Sequence, residues 1–338
     1  MKILVTGATG FVGRQLVQYL LENTEATLCL AVRVIPQVKL YETHDASRVT
    51  FIQIHHILSD THWHTVLMDC EVVIHLAACM GVANKNSNEA LAIFRETNVE
   101  GTLNLARQAN QSGVKRFIYI SSIKVNGEMT RPDVPFHPDD IPRPQYPYAI
   151  SKLEAERGLI SLAEKNAMTV VILRPPVVYG PDVRGNFMLI MALLQKKIPL
   201  PFGALKQNKR SFISVLHLVD VIVTCITHPR AANKMFLLSD GHDLSTTALF
   251  LKIKTFFDTS ALFFPLPVWL LNSTASVLGR RDEMMRLTSS LHVDISQTQQ
   301  LLGWQPKESV DDGLSRAVSR YIELRNSNCF KEEDDVES

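Results

Sequence analysis

The sequence predicts an α/β protein: a doubly wound parallel sheet with helices on both faces, followed by a smaller C-terminal unit. Three observations carry this. Short apolar runs at 2–6, 27–32, 50–54, 71–76, 116–120 and 169–173 alternate with helix-like stretches, and such alternation builds a sheet covered on both faces. Gly7, Gly10 and Gly13 sit where the first strand pattern gives way to the first helix pattern. After Arg174-Pro175-Pro176 the alternation breaks into shorter elements punctuated by Pro181, Pro199, Pro201, Pro265 and Pro267.

The opening elements are the most informative. Residues 2–6 read as a buried strand, and Val12, Leu16, Leu20 and Leu21 recur at helical spacing over 12–22. Glycines between them permit a tight turn and let the backbone approach a pyrophosphate at the helix N-terminus. Gly7, Gly10, Phe11, Val12 and Gly13 are therefore candidate dinucleotide contacts, in a Rossmann-type arrangement. A carboxylate at the end of the second strand favours NAD, whereas arginine suits the extra phosphate of NADP. This chain has Val32-Arg33 there, so the cofactor expected is NAD(P), with Arg33, helped by Arg14, tilting it to NADP.

Bulk properties narrow the class. With 338 residues, 46% of them hydrophobic, the chain can bury a large core. A net charge of +1 offers no field for nucleic acid, so a small-molecule partner is expected. Five cysteines without CxxC spacing suggest neither a disulfide framework nor a zinc knuckle. The glycine loop follows Met1 too closely for a signal peptide, and the expected location is cytoplasmic. No charge lies between Asp258 and Arg280; prolines and polar residues interrupt this stretch, which reads as a buried loop and helix, with membrane association the alternative. His55, His56, His62, His64 and His75 follow no metal-binding spacing, so no metal is expected. Trp63 and Trp304 read as packing residues. The predicted organisation is 1–180 as the dinucleotide-binding domain, with 212–240 returning to it, 181–325 as mainly the second unit, and 326–338 as a disordered acidic tail.

Tyr148 and Lys152 are four residues apart, and 147–160 reads as a helix starting at Pro147, so the two side chains share a face. A lysine ammonium beside a tyrosine stabilises the phenolate and makes the phenol a usable base or acid. The run Phe117-Ile118-Tyr119-Ile120 leads into Ser121-Ser122, which brings a hydroxyl to the carboxyl edge of the sheet, where the glycine loop also lies.

Six motifs in order now resemble the extended short-chain dehydrogenases, specifically the NAD-dependent epimerase/dehydratase group, over residues 2 to about 322. They are Gly7-x-x-Gly10-x-x-Gly13, His75-Leu76-Ala77-Ala78, Asn98-x-x-Gly101-Thr102, Ser121-Ser122-x-x-Val125, Tyr148-x-x-x-Lys152 and Arg174-Pro175. The resemblance implies that Tyr148 exchanges the proton of the reacting hydroxyl. It has Lys152 holding the nicotinamide ribose and lowering the Tyr148 pKa, and Ser122 bonding the substrate oxygen. Leu76, Ala77, Ala78 and Pro175 would line the cofactor, and Asn98 would order the lysine region. Asn186 and Arg210 would meet the diphosphate of a nucleotide sugar held by the second, substrate-binding unit. A homodimer is usual for the group.

Departures from the family pattern sharpen the expectation. Ile123-Lys124 replaces the Asp-Glu pair that a sugar 4,6-dehydratase needs, which excludes that reaction. His56 stands where an acid commonly contacts adenine. Pro175-Pro176-Val177 replaces Tyr-Phe-Asn, which sets the chain apart from plain UDP-galactose epimerases. Ser121 to Gly127, Arg174-Pro175-Pro176 and Leu200-Pro201-Phe202-Gly203 are together similar to 4-epimerases and 4-ketoreductases of UDP-N-acetylhexosamines in bacterial surface-polysaccharide synthesis. Two other readings share the fold: a dinucleotide sensor without catalysis, and an NADPH-dependent reductase of a non-sugar ketone.

Overall fold

Seven parallel strands form the central sheet of the computed structural model, which describes residues 1–36, 41, 45–81, 87–257 and 261–327. In chain order the strands are β1 (Lys2–Thr6), β2 (Thr27–Val32), β3 (Val49–Gln53), β4 (Val72–His75), β5 (Arg116–Ile120) and β6 (Thr169–Arg174), then β7 (Val177–Tyr179), β8 (Phe212–Ser214) and β9 (Lys234–Leu237). The sheet order is β3-β2-β1-β4-β5-β6-β9, while β7 and β8 pair separately. Order reverses between β1 and β4, which opens a crevice at their carboxyl ends, the place where doubly wound sheets take their ligands.

The helices are α1 (Phe11–Asn23), α2 (His64–Leu67), α3 (Ser87–Phe94), α4 (Thr102–Gln111), α5 (Pro147–Glu164) and α6 (Asn186–Gln195). They continue as α7 (Val215–Thr227), α8 (Thr246–Phe257), α9 (Val268–Val277), α10 (Arg281–Thr288), α11 (Ser296–Leu302) and α12 (Val310–Asn326). Strand side chains alternate between faces. Ile3 and Val5 pack with Leu16 and Leu20 of α1 and Leu218 and Ile222 of α7. Leu4 and Val73 face the other way, against Trp63, Leu105 of α4 and Leu159 of α5.

A third core lies outside the sheet, where Tyr179, Phe187, Phe202, Phe250, Leu314 and Val318 come together. Of the segment 212–240, β9 pairs with β6 and α7 packs on α1, whereas β8 pairs with β7. Helix α12 runs to Asn326, so the charged tail starts later than 326; residues 328–338 lie outside the described residues. No described helix is long and apolar enough to cross a membrane. Within the uncharged stretch, α9 spans 10 residues and carries Trp269 at 69% exposure, so that part is a short surface helix and not a buried one.

Candidate active site

The first turn after β1 is closed by Gly10 N–H donating to the Gly7 carbonyl at 3.0 Å. Gly7 has φ +72°, and a Cβ there would lie 2.8 Å from the Ala77 nitrogen. At Gly13 a Cβ would meet the Gly7 oxygen at 2.1 Å. Only glycine lets this turn, the start of α1 and the Leu76-Ala77-Ala78 loop come so close. Gly10 caps α1 with no side chain, which leaves the first-turn amides around Phe11 and Val12 to be met from outside. Arg14 donates to the Thr9 carbonyl at 2.9 Å and is engaged with the loop itself. Arg33 is exposed one residue past β2, with its carbonyl accepting from Gln53.

Helix α5 begins with Pro147 at its first position, preset for helical φ. Tyr148 is half-buried on its first turn, edge-on to Phe94 with ring centroids 5.9 Å apart. One turn further on, Lys152 is buried, donates from Nζ to the Ile120 carbonyl at 2.7 Å and stands 4.4 Å from the centre of the Tyr119 ring. Ile120 ends β5, and two residues later Ser122 opens a 3₁₀ turn, its Oγ accepting from Lys124 N–H at 3.3 Å. Lys152 is thus anchored at the carboxyl end of β5, two residues before Ser122, with Tyr148 one turn earlier on α5. Pro175 helps hold the serine turn, since its carbonyl accepts from Ile123 N–H at 3.0 Å.

Burial pushes Tyr148 up to about 12 and Lys152 down to about 7, Glu156 partly offsetting the latter. The expected lowering of Tyr148 by Lys152 is therefore not found. The ammonium is directed to the Ile120 carbonyl and the Tyr119 ring, and desolvation of the phenolate dominates.

Asn98 lies in a π-helical segment, Arg95–Gly101, a distortion frequent at functional sites. Its amide donates to the Cys79 carbonyl and Ser151 Oγ at 3.0 and 3.1 Å and accepts from Cys79 N–H at 2.8 Å. Asn98 thus ties the loop after β4 to the residue preceding Lys152. His75 bridges Thr6 and Thr102 at 2.7 and 2.9 Å. Burial, with Lys152 nearby, takes it down to about 3, so it is a neutral core histidine. Among the described residues no histidine, cysteine and carboxylate cluster could hold a metal. Trp63 and Trp304 are both buried, the latter donating to Asp220.

The motif reading did not anticipate two groups. Buried Arg174 donates to both oxygens of Glu156 and, at 2.8 Å, to Asn126 Oδ1, which locks α5 to β6 and the serine turn. Arg210 donates to the Ser289 carbonyl at 3.2 Å, and burial takes it down to about 10, with Glu128 and Arg286 both close enough to act on it. Arg286 of α10 and Arg210 are also close enough to act on Lys124, so the three cations are gathered together. Asn186 starts α6, but its side chain lies outside the described residues.

A Rossmann sheet, a glycine loop and a Tyr-Lys-Ser group at one edge define a dinucleotide enzyme of the short-chain dehydrogenase type. The chain belongs to the NAD dependent epimerase/dehydratase family, whose model matches residues 3–238. It is 43% identical to a UDP-glucose 4-epimerase of Vibrio cholerae over 96% of both chains. Its fold is that of a UDP-glucuronic acid 4-epimerase of Bacillus cereus solved with NAD, at TM-score 0.76 and 23% identity over 96% of this chain and 99% of that one. A UDP-N-acetylglucosamine 4-epimerase of Methanobrevibacter ruminantium gives 0.74 and 21% over 96% and 98%.

Proposed function

We propose that the chain is a nucleotide-sugar 4-epimerase that inverts C4 of a UDP-hexose or UDP-N-acetylhexosamine. The observation that supports this is Lys152 of α5 bonded to the carbonyl at the end of β5, two residues before Ser122, with Tyr148 one turn before it on the same helix. The residues fit a nicotinamide dinucleotide: the cradle at Gly7 and Gly13 has no room for a Cβ, and the start of α1 has no side-chain cap. Gly7, Gly10, Phe11, Val12, Gly13, Leu76, Ala77, Ala78 and Pro175 would hold it, with Lys152 on its ribose and Asn98 ordering that region. When bound, the nicotinamide supplies a hydride acceptor that also returns the hydride.

The chain's own residues do the rest. Ser122 hydrogen-bonds the C4 oxygen and Tyr148 takes its proton as hydride leaves C4. Once the 4-keto sugar has turned over in the pocket, Tyr148 would return the proton to the C4 oxygen. Lys152 keeps positive charge near the phenol, and Arg210, with Asn186, would meet the diphosphate. Arg33, one residue past β2, would bond an extra 2′-phosphate, and Arg33→Asp should lower NADP affinity relative to NAD in a binding titration. The division into a cofactor domain and a substrate domain, a homodimer in solution and a surface-polysaccharide role belong to the same reading.

The test is incubation of the purified protein with UDP-N-acetylglucosamine or UDP-glucose and NAD, followed by NMR. The galacto isomer should form with no net change in cofactor absorbance. No isomer, together with consumption of NAD(P)H on a UDP-4-keto-6-deoxy sugar, would identify a ketoreductase instead.

A further inference from the structure

Helix α9 presents apolar side chains to solvent where a surface helix normally carries charge. None of its residues, Val268 to Val277, is charged, and a helix apolar on every side is normally buried. Leu271 packs into the third core and Ala275, one turn on, is buried. Trp269 and Val277, two turns apart on the opposite side, are instead 69% and 88% exposed. Leu278 follows, and Leu262, Phe264 and Val268 precede, all exposed. Single exposed apolar residues are ordinary, but this run of them makes a patch of the kind that marks an interaction surface. Cations flank it. Leu200 N–H donates to the Leu262 carbonyl at 2.8 Å and Phe264 N–H to the Leu200 carbonyl at 3.1 Å, which brings exposed Lys196, Lys197 and Ile198 alongside the stretch leading into α9. Lys254 Nζ lies 5.9 Å from the centre of the Phe263 ring. At the other end of α9, Arg280, Arg281 and Arg286 line an open cleft with Ser276. Asp282 and Glu283 share its wall, and Glu283 lies 4.0 Å from Arg280, an exposed pair of little strength.

With 10 residues, α9 is about 15 Å long, half of what crossing a bilayer needs, so its apolar face suits lying on a membrane and not spanning it. Tryptophan concentrates at the headgroup level, and basic residues beside an apolar face draw it to anionic lipid. We infer that α9 is a membrane-docking helix: Trp269 and Val277 enter the headgroup boundary of an anionic bilayer, and the cleft of Arg280, Arg281 and Arg286 seats a lipid phosphate. Lys196, Lys197 and Lys254 meet headgroups on the other flank. A second copy of this chain is the poorer occupant, because a two-fold contact sets the same patch against itself and brings like-charged rims together. The inference goes beyond the 4-epimerase reading and does not depend on it, since binding and not turnover is what tests it.

The experiment sediments the purified full chain with vesicles of phosphatidylcholine alone or mixed with phosphatidylglycerol, and follows tryptophan emission. Trp63 and Trp304 are buried, so a change in emission on mixing reads Trp269. Wild type should bind the phosphatidylglycerol vesicles about tenfold or more tightly than phosphatidylcholine, each Lys or Arg near an anionic surface adding about fivefold. Its emission should shift to the blue and be shielded from acrylamide. Trp269→Ser should weaken binding by about tenfold or more, the effect of one large apolar side chain left unburied. Arg280→Gln with Arg281→Gln should cost about twentyfold on the anionic vesicles. No binding to phosphatidylglycerol vesicles, equal binding to both lipids, or binding with unchanged emission overturns the inference in wild type alone. Undiminished binding by Trp269→Ser, shown folded by its thermal melt, also overturns it. Self-association without lipid that Trp269→Ser abolishes would give the face to a second copy and overturn it as well.

Discussion

Tyr148 begins with a phenol that burial holds near 12, so turnover at neutral pH requires added positive charge beside it. Lys152 is poised near 7 and supplies that charge only while protonated. Activity limited by this charge should fall as pH rises through the folded pKa of Lys152, and a kcat/KM profile tests it. Tyr148→Phe should keep the fold and cofactor binding but lose roughly 10²–10⁴ in kcat, the scale of a deleted proton-transfer group. Near-normal turnover in that variant would overturn the mechanism. His75 makes a stability prediction. Its folded pKa of about 3 lies below the unfolded value of about 6.5, so the unfolded chain binds more protons between those limits. Native His75 therefore favours folding fully above pH 6.5, and that contribution is lost as pH falls towards 3, by at most about 1.4 kcal/mol per unit. Urea midpoints at pH 7 and 5 should drop in wild type and drop less in His75→Gln.

Helix α5 carries two of the three side chains proposed to react, Tyr148 and Lys152, and its position depends on contacts far from them in sequence. Glu156, one turn after Lys152, is clamped by Arg174 at the end of β6, and Arg174 also reaches Asn126 beyond the serine turn. Arg174→Met would leave a buried carboxylate unpaired, at a cost of roughly 3–5 kcal/mol. Arg174→Met with Glu156→Leu should recover much of that stability, since replacing both partners removes the orphaned charge. Thermal melts of the two variants check this. The glycine loop, the tyrosine-lysine pair and the serine were legible in the sequence because each occupies a short stretch whose spacing translates directly into geometry. Glu156 and Arg174 are 18 residues apart on different elements, and Lys124, Arg210 and Arg286 meet only through the tertiary fold. No local spacing encodes such meetings. The direction of the Tyr148 shift was misread for a related reason: helical spacing reveals that a lysine is near, but not that a carbonyl and a ring have claimed its ammonium.

Across the whole molecule, a ligand that binds only the folded state raises stability by mass action. NAD at a hundred times its Kd should add about 2.7 kcal/mol, visible as a higher Tm, and Gly13→Ala should abolish that rise because the added methyl collides with the Gly7 carbonyl. The six strands of the first 174 residues, and the helices that follow the glycine loop and Pro147, were readable from apolar periodicity. The later part was read only as shorter elements between prolines, and its core is assembled from α6, α8 and α12 with two short strands that lie far apart in the sequence. The route of the chain between these regions has a further consequence. It leaves the sheet after β6, returns with α7 and β9, departs again for α8, α9 and α10, comes back at α11 packed on β9, and finally crosses out to α12. No single cut separates the two regions, so neither can be exchanged as a cassette between relatives. The core outside the sheet is therefore built from segments spread along the chain, each of which returns to the sheet before the next begins.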